Sequence, residues 1–295
     1  MRSVTLPSPA KINLCLEVWR RRPDGYHDIT TLMQLVDFAD TVTVERLEAG
    51  VTLTAEGLPV PGGEENVAFR AALHFFAAAG RGGARIHLVK RIPSGGGLGG
   101  GSSNAAAVLW GLNSLFGLPL SVPALTELAA ALGSDVPFFL SSGFAWAEGR
   151  GERIRPAGRG IDRWVVIVDP GVSVSTAWAY QRLTLPLTPG ESLSTIDASV
   201  AQGDVVRALE WAFNRLEEAV LPYFPRLAEL KAELTAAGAR PALMSGSGAC
   251  LFGLLASREA ADCAAARIAA AGARPIVCRT VVGNPLVAAG APLAG

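Results

Sequence analysis

The sequence predicts an α+β fold in two domains, on the basis of its length, its composition and its mixture of strand and helix patterns. At 295 residues, the chain has room for about two domains that each bury a core. Half of the residues are hydrophobic and few are aromatic, which is typical of a globular protein rich in small residues. A polar stretch rich in glycine and arginine covers 149–160. We therefore expect one domain over 1–155 and a second over 156–295.

Charge and hydropathy exclude several classes of function. Lysine plus arginine and aspartate plus glutamate number 26 each, so no basic field favours nucleic acid. No apolar run is long enough to span a membrane, and the first residues lack the apolar segment of a secretory signal. We expect a cytoplasmic protein whose partner is a small molecule, with no nucleic acid and no membrane. The sequence makes no prediction of oligomeric state.

The cysteines and histidines have no metal-binding spacing. The cysteines form no C-x-x-C pair, and the histidines are far apart. These residues are Cys15, Cys250, Cys263, Cys278, His27, His74 and His87. We expect buried, reduced thiols and assign no metal ligand.

The N-terminal half begins with a predicted strand over 10–18, where apolar and polar residues alternate. The pleat puts Lys11 and Asn13 on one face, about 7 Å apart, so both side chains can reach one ligand. A strand lysine is more often a solvated charge, and that interpretation stays open. Further strands are predicted over 28–37, 41–47, 51–55 and 84–92. Helices are predicted from an Asn66 cap to Gly80 and over 122–132.

The segment 93–107 is the most informative part of the chain. It reads Pro-Ser-Gly-Gly-Gly-Leu-Gly-Gly-Gly-Ser-Ser-Asn-Ala-Ala-Ala, between a strand and an amphipathic helix that ends near Gly117. Ser102 or Ser103 is the expected N-cap. Glycine lets backbone N–H groups approach oxygen atoms, and a helix N-terminus attracts anions, so we expect bound phosphate. A dinucleotide loop is disfavoured because 118–124 holds no acidic residue, and no Gly-Lys-Ser or Gly-Lys-Thr follows.

Two short motifs allow both a structural and a functional interpretation. Tyr26 and His27 follow a charged turn over 20–25, and their rings could stack on an aromatic ligand or pack internally. Asp135 precedes Pro137, which suits the first turn of a helix. The aspartate is therefore either part of a helix cap or a catalytic carboxylate.

The C-terminal half reads as a mixture of strands and helices. Strands are predicted over 164–168 and 275–282, and helices over 205–220, 225–237 and 259–271, with a loop over 186–194. A hairpin is predicted over 242–252. Its tip, Ser245-Gly246-Ser247-Gly248, could face a ligand through bare backbone.

The glycine-rich segment resembles the phosphate loop of the small-molecule kinase superfamily named for galactokinase, homoserine kinase, mevalonate kinase and phosphomevalonate kinase. The superfamily pattern is Pro-x-x-x-Gly-Leu-Gly-Ser-Ser-Ala. Other motifs resemble the branch of that superfamily whose substrate carries a cytidyl diphosphate group. They are Pro9-Ala10-Lys11-Ile12-Asn13-Leu14, Arg22-Pro23-Asp24-Gly25-Tyr26-His27 and Gly133-Ser134-Asp135-Val136-Pro137-Phe138, with weaker agreement over 170–176 and 245–250. The resemblance covers essentially the full length.

This resemblance implies two α+β domains with the active site in the interdomain cleft, and ATP and Mg²⁺ as cofactors. The implied reaction moves the γ-phosphoryl group of ATP to the 2-hydroxyl of 4-diphosphocytidyl-2-C-methyl-D-erythritol, in non-mevalonate isoprenoid synthesis. Asp135 is the implied base and Lys11 its charged partner. Tyr26 and His27 would hold cytosine, Asn13 the hydroxyl-bearing end, and Thr176 would contact the substrate. The implied ATP-binding residues are Pro93, Ser94, Gly95, Gly96, Gly97, Leu98, Gly99, Gly100, Gly101, Ser102 and Ser103.

Asn66 and Lys90 are further candidates for the adenine side. Ser94 and the Gly-Ser-Asp sequence depart from residues common in the family, and neither removes a needed group. Three alternatives remain open: a kinase of the same superfamily for another small alcohol, a non-catalytic nucleotide sensor, and a dehydrogenase.

Overall fold

The computed structural model describes residues 2–80, 82–117, 119–184 and 191–289. The strands are β1 (Ser3–Arg21), β2 (His27–Leu47), β3 (Gly50–Gly57), β4 (Gly83–Lys90), β5 (Phe144–Gly149), β6 (Arg153–Pro156), β7 (Trp164–Asp169), β8 (Phe213–Asn214), β9 (Ala242–Met244), β10 (Leu251–Leu255) and β11 (Arg274–Arg279). The α-helices are α1 (Val67–Ala79), α2 (Gly100–Leu115), α3 (Val122–Leu132), α4 (Thr176–Gln181), α5 (Glu191–Ala201), α6 (Val205–Glu210), α7 (Glu217–Val220), α8 (Pro225–Ala236), α9 (Arg258–Ala270) and α10 (Pro285–Ala289). Short 3₁₀ helices cover Gly63–Glu65, Pro137–Leu140 and Leu221–Tyr223.

The first sheet is built on the long hairpin of β1 and β2. Its strand order is β3-β4-β2-β1-β8, while β5 pairs with the first part of β2 and β6 pairs with β5. Helices α1, α2 and α3 pack together on this sheet, and α2 contacts both β1 and β2. Helix α2 is buried on nearly every side, so it forms the centre of this half.

The second sheet has the order β11-β7-β10-β9 and packs between the first sheet and two helices. Alternate residues of β7 serve the two faces, as the pleat requires. Val165 and Ile167 join Ile12 and Leu98 in the core between the sheets. Val166 and Val168 lie in the core with α8 and α9. The predicted α+β class is confirmed.

The segment 28–47 differs from its prediction. Two strands were expected, but β2 runs through without a break because its pairing with β1 shifts register between Pro9 and Ala10. Such a bulge absorbs extra residues while the strand continues. The shift lies opposite Val36 and Ala39, next to the buried Asp40.

The predicted helix over 205–220 is wrong. It is split into α6 and α7 by β8, which pairs with β1 in parallel. The interruption is held by Asn214, whose Nδ2 donates to Met244 O and Gly246 O at 2.7 Å each. The predicted loop over 186–194 is wrong at 191–194, which begin α5, and 186–190 lie outside the described residues.

Most other expected elements are present within a few residues of their predicted bounds, including the Asn66 cap of α1, which accepts from Ala68 N. All cysteines are free thiols, but Cys263 is exposed, so the expectation of buried thiols is wrong there. Among the described residues, no helix is both long and apolar enough to cross a membrane. The boundary between 155 and 156 stays a prediction.

Candidate active site

The glycine loop has the backbone of an anion site. Gly95, Gly97 and Gly99 have positive φ values of 71°, 74° and 72°, whereas Gly96 does not have a positive φ. The carbonyl groups of Gly96, Gly97 and Leu98 accept from Cys250 N, Ser245 Oγ and Lys11 N at 3.2, 2.9 and 3.0 Å. Within the described residues, the backbone N–H groups of 97–99 make no hydrogen bond to a backbone acceptor. A phosphate is bound by free backbone N–H groups and repelled by carbonyl oxygens, so a loop whose carbonyls face the protein suits an anion.

The loop is pressed against the tip of the β9–β10 hairpin. A Cβ at Gly97 would lie 1.8 Å from Ser245 O, and one at Gly96 would lie 2.6 Å from Cys250 Sγ. Glycine is therefore required at both positions for close packing, and at Gly97 also for its positive φ. The hairpin tip predicted from sequence thus contacts the phosphate loop.

A buried polar network lies behind the loop. The Oδ2 atom of Asp40 accepts hydrogen bonds from Lys90 Nζ and, at 3.0 Å, from Asn104 Nδ2. Its Oδ1 atom accepts from Arg91 N and Ile92 N. Lys90 Nζ also donates to Asn104 Oδ1 at 2.8 Å. The ammonium group of Lys90 is therefore hydrogen-bonded inside the protein, and a contact of Lys90 with the adenine side stays a prediction.

The two serines of the loop have different surroundings. Ser103 Oγ accepts from Ser8 Oγ at 2.8 Å and is fully buried, whereas Ser102 is half-buried. Neither caps α2: the N-cap is Gly99, in the left-handed conformation, so the predicted serine cap is wrong. The helix begins earlier because the glycines themselves form its first turn.

Lys11 and Asp135 lie at the mouth of the loop. Lys11 Nζ is 3.8 Å from Asp135 Oδ2 and donates to Asn13 Oδ1 at 2.6 Å. Burial lowers the pKa of Lys11, and the nearby Asp135 charge opposes that change. Asp135 is 39% exposed, and Val136 rather than Asp135 occupies the N-cap position of the following 3₁₀ helix.

Strand β1 explains this arrangement. Lys11 and Asn13 project from the same face, as alternation predicts, and Asn13 Nδ2 is fixed by Thr31 Oγ1 of β2 at 2.8 Å. Gly246 of the hairpin tip packs close to both: a Cβ there would be 3.3 Å from Lys11 Nζ. The alternative interpretation of Lys11 as a solvated charge is wrong, since Lys11 is 2% exposed.

Tyr26 and His27 line an open cavity of about 640 Å³. The His27 ring stacks on Tyr180 with centroids 5.0 Å apart, while Tyr26 is 54% exposed. Arg150 lies over the Tyr26 ring, 5.0 Å from its centroid. Burial raises the pKa of the Tyr180 hydroxyl, and the charge of Asp135 adds to the effect.

Thr176 also lines the cavity, from the first turn of α4. Its Oγ1 and Ser247 Oγ are 2.8 Å apart, so the hairpin tip reaches this pocket as well as the glycine loop. The structure thus brings the sequence-predicted residues into two adjoining regions. One contains the loop, Lys11 and Asn13, and the other contains Tyr26, His27 and Thr176.

Several contributors to the site had no clear sequence signal. Ser245 and Gly246 were predicted as a hairpin tip that could face a ligand, without a specific role, and Tyr180 lay in a stretch assigned no role. Arg150 belonged to a polar segment that suggested only a linker. Their positions depend on contacts between segments distant in sequence, which periodicity does not report.

Mg²⁺ needs few protein ligands when phosphates supply the rest. Within the described residues, no cluster of three histidine, cysteine or acidic side chains exists. Candidate oxygen donors are Ser102, half-buried in the first turn of α2, and the partly exposed Asp135. The donor set is therefore compatible with a phosphate-bound Mg²⁺ and not with a metal held by protein alone.

A glycine-rich loop beside a lysine–carboxylate pair suits a small-molecule kinase, and the comparisons with known proteins place the chain in that class. The family described as GHMP kinases N terminal domain matches residues 66–143, and GHMP kinases C terminal matches 197–274. Homoserine kinase from Cytophaga hutchinsonii has the same fold, with a TM-score of 0.78 at 21% identity over 96% of each chain.

More similar relatives share one name. The 4-diphosphocytidyl-2-C-methyl-D-erythritol kinase of Geobacter metallireducens is 46% identical over 91% of this chain and 95% of its own. That of Moorella thermoacetica is 40% identical over 95% and 100%. A crystal structure of 4-(cytidine 5′-diphospho)-2C-methyl-D-erythritol kinase has a TM-score of 0.78 and 38% identity, over 94% of this chain and 99% of that one. The chain belongs to the GHMP kinases, in the family of these enzymes.

Proposed function

We propose that the protein transfers the γ-phosphoryl group of ATP to the 2-hydroxyl of 4-diphosphocytidyl-2-C-methyl-D-erythritol, a step of non-mevalonate isoprenoid synthesis. The observation that carries the proposal is the Lys11–Asp135 pair, 3.8 Å apart, beside a glycine loop whose N–H groups at 97–99 find no backbone acceptor in the described parts of the chain. The identity of more than 40% to kinases named for this substrate supports it. The protein would work in the cytoplasm.

The glycine loop binds the triphosphate of ATP. N–H groups of 95–99 donate to phosphate oxygens, and the N-terminal end of α2 adds the favourable end of its dipole. The remaining loop residues, from Pro93 and Ser94 to Gly100, Gly101 and Ser103, shape this cradle. Ser102 and Asp135 are the residues that would supply oxygen ligands to a phosphate-bound Mg²⁺, which would neutralise phosphate charge.

Asp135 accepts the proton of the attacking hydroxyl group. A tertiary alcohol is hindered and weakly nucleophilic, so a positioned base is useful and contributes about 10²- to 10⁴-fold in rate. Lys11 pairs with the ionised carboxylate and offsets the negative charge that develops on the migrating phosphoryl group. Asn13 holds Lys11 through its Oδ1 at 2.6 Å and directs the hydroxyl-bearing end of the substrate.

Tyr26 and His27 bind the cytosine. His27 presents one ring face to Tyr180, which fixes its orientation. The exposed ring of Tyr26 can stack on the base, and Thr176 closes the pocket beside it. This aromatic pair is what separates the proposed substrate from a small alcohol without a base.

Turnover of ATP with 4-diphosphocytidyl-2-C-methyl-D-erythritol, homoserine and mevalonate tests the proposal. We expect turnover with the cytidyl substrate alone and a fall in kcat of about 10²- to 10⁴-fold in Asp135→Asn. Asp262→Asn, an exposed carboxylate on α9, is the matched control and should keep full activity. Turnover of homoserine or mevalonate in place of the cytidyl substrate would support the other-alcohol alternative. ATP binding without any transfer would support a sensor.

A further inference from the structure

The cavity over Tyr26 and His27 has an excess of positive charge. Its charged lining residues are Arg21, Asp24 and Arg150. Asp24 is already held by Arg22, whose Nη2 lies 2.9 Å from Oδ2. Burial, with a contribution from Arg21, lowers the pKa of His27, so the imidazole is neutral at pH 7. Two guanidinium groups therefore line the cavity with one carboxylate, Asp24, which is ion-paired with Arg22 and also lies within the influence of the Arg150 charge.

Neither arginine is strongly paired elsewhere. Arg150 Nε is 4.0 Å from Glu152 Oε2, and that oxygen is already used by the Arg150 backbone N–H at 2.7 Å. The carboxylate of Asp28, near Arg21, is bound by Arg20 and Arg22. In the described parts of the chain, Arg21 has no carboxylate within ion-pair distance. Both groups are therefore available to an anion.

Arg150 lies between Tyr26 and Asp135, the two ends of the proposed substrate site. Its guanidinium group lies on the Tyr26 ring. The next residue, Gly151, adjoins the catalytic end, where a Cβ would lie 3.8 Å from Asp135 Oδ1. The turn that carries Arg150 has Gly149 and Gly151 on either side, both with positive φ. A substrate that places its base at Tyr26 and its reacting hydroxyl at Asp135 must pass Arg150.

We propose that Arg150, assisted by Arg21, binds the diphosphate of the substrate and makes the pocket selective for a nucleoside diphosphate. The inference rests on the proposed function, because it takes the base at Tyr26 and His27 and the reacting hydroxyl at Asp135. In such a substrate the diphosphate joins these two parts. A planar guanidinium group donates two parallel hydrogen bonds to phosphate oxygens, which a lysine cannot reproduce. The step is binding alone, with no proton or group transferred.

Calorimetric titration with cytidine and with cytidine 5′-diphosphate tests the assignment. Arg150→Gln should weaken diphosphate binding by about 10- to 100-fold and leave cytidine binding unchanged, and Arg21→Gln should have a smaller effect of the same kind. The matched control is Arg153→Gln, an exposed arginine on β6 outside the lining of the cavity, which should change neither. Equal weakening of both ligands would mean that Arg150 only supports Tyr26, and would overturn the proposal. Unchanged diphosphate binding would also overturn it.

Steady-state kinetics separates this proposal from the proposed function. With 4-diphosphocytidyl-2-C-methyl-D-erythritol, Arg150→Gln should raise KM and leave kcat nearly unchanged, as expected for lost ground-state binding. Wild-type protein that binds the diphosphate through Arg150 but does not phosphorylate this substrate would overturn the function and support the binding site. Normal turnover with an unaltered KM in Arg150→Gln would overturn the binding site alone.

Discussion

The two ends of the active site are held in opposite ways. At the phosphate end, Asp40 is completely buried and accepts from four donors behind the glycine loop. At the base end, Tyr26 is 54% exposed and stands on a surface turn. The proposed phosphate site is therefore supported by a buried polar network, whereas the proposed base site depends in part on a largely exposed side chain.

This difference predicts which measurement each end will affect. A buried hydrogen-bonded network is coupled to the free energy of unfolding, because an unpaired buried charge is costly. An exposed side chain contributes little to stability and can be specialised for a ligand. Substitutions at the phosphate end should therefore change stability and activity together, and those at the base end should change binding alone.

The largest expected effect on stability is that of Asp40→Ala. It leaves Lys90 buried without its partner and should lower the free energy of unfolding by about 3–5 kcal/mol in chemical denaturation. The matched control is Glu45→Gln, which breaks the exposed Arg85–Glu45 pair between the same two strands, β2 and β4, and should cost about 0–1 kcal/mol. Adding Lys90→Met to Asp40→Ala should recover part of the loss. Equal effects of Asp40→Ala and Glu45→Gln would remove the contrast between the two ends.

A comparison of Gly97→Ala with Gly95→Ala sharpens the same point. Both glycines have left-handed φ, 74° and 71°, so each substitution costs about 1–2 kcal/mol in backbone strain. Only Gly97 lies against the hairpin, 1.8 Å from Ser245 O to a built Cβ, which adds about 1–3 kcal/mol of overpacking. Thermal unfolding should show the larger loss for Gly97→Ala. Identical midpoints for the two variants would show that the hairpin contact does not constrain the loop.

Tyr26→Ala tests the base end. It should weaken cytidine binding by about 1–3 kcal/mol, the usual value of base stacking on an aromatic side chain. The free energy of unfolding should stay within about 0.5 kcal/mol of the wild type, since the ring is largely exposed. Titration calorimetry and chemical denaturation measure the two quantities. A large loss of stability with unchanged binding would make Tyr26 a structural residue.

The smallest expected effect is on the alkaline side of the pH profile. Burial lowers the pKa of Lys11 below its usual 10.5, so the ammonium form is lost at a lower pH than in a free lysine. The positive charge is present below that pKa and disappears as the pH rises through it. We expect kcat to decline on the basic side before pH 10.5, and Lys11→Arg to move that decline to higher pH. A profile that is flat up to pH 10.5 in the wild type would contradict this role.

The sequence predicted the parts of the fold that depend on neighbours along the chain. The alternation over 10–18, the caps at Asn66 and Gly80 and the turn at 245–248 all correspond to elements of the structure. The same local signals missed β8. The side chain of Asn214 donates to the carbonyls of residues 244 and 246, which are distant in sequence, and no local pattern reports such contacts. They also placed the cap of α2 on a serine, although glycines begin the helix.

The candidate site follows the same rule. Lys11 and Asn13 were placed together because a strand has period two. Their approach to Asp135 depends on three segments that meet only in the folded chain: β1, the glycine loop and the 3₁₀ helix at Pro137–Leu140. Arg150 and Tyr180 were not recognised because arginine and tyrosine are common in surface segments without function. The roles of the named residues remain predictions that the variants above will test.

The position of the short strand β8 in the chain also affects folding during synthesis. During synthesis, β1 leaves the ribosome first, while the two residues that pair with Cys15 and Leu16 come from 213–214. Helix α10 arrives later still and packs on β1 and α2. Until then, part of the β1 edge stays unpaired, and such an edge is a template for association with other chains. A nascent chain halted after residue 155 therefore exposes an unpaired strand edge, and the first sheet is completed by the later part of the chain.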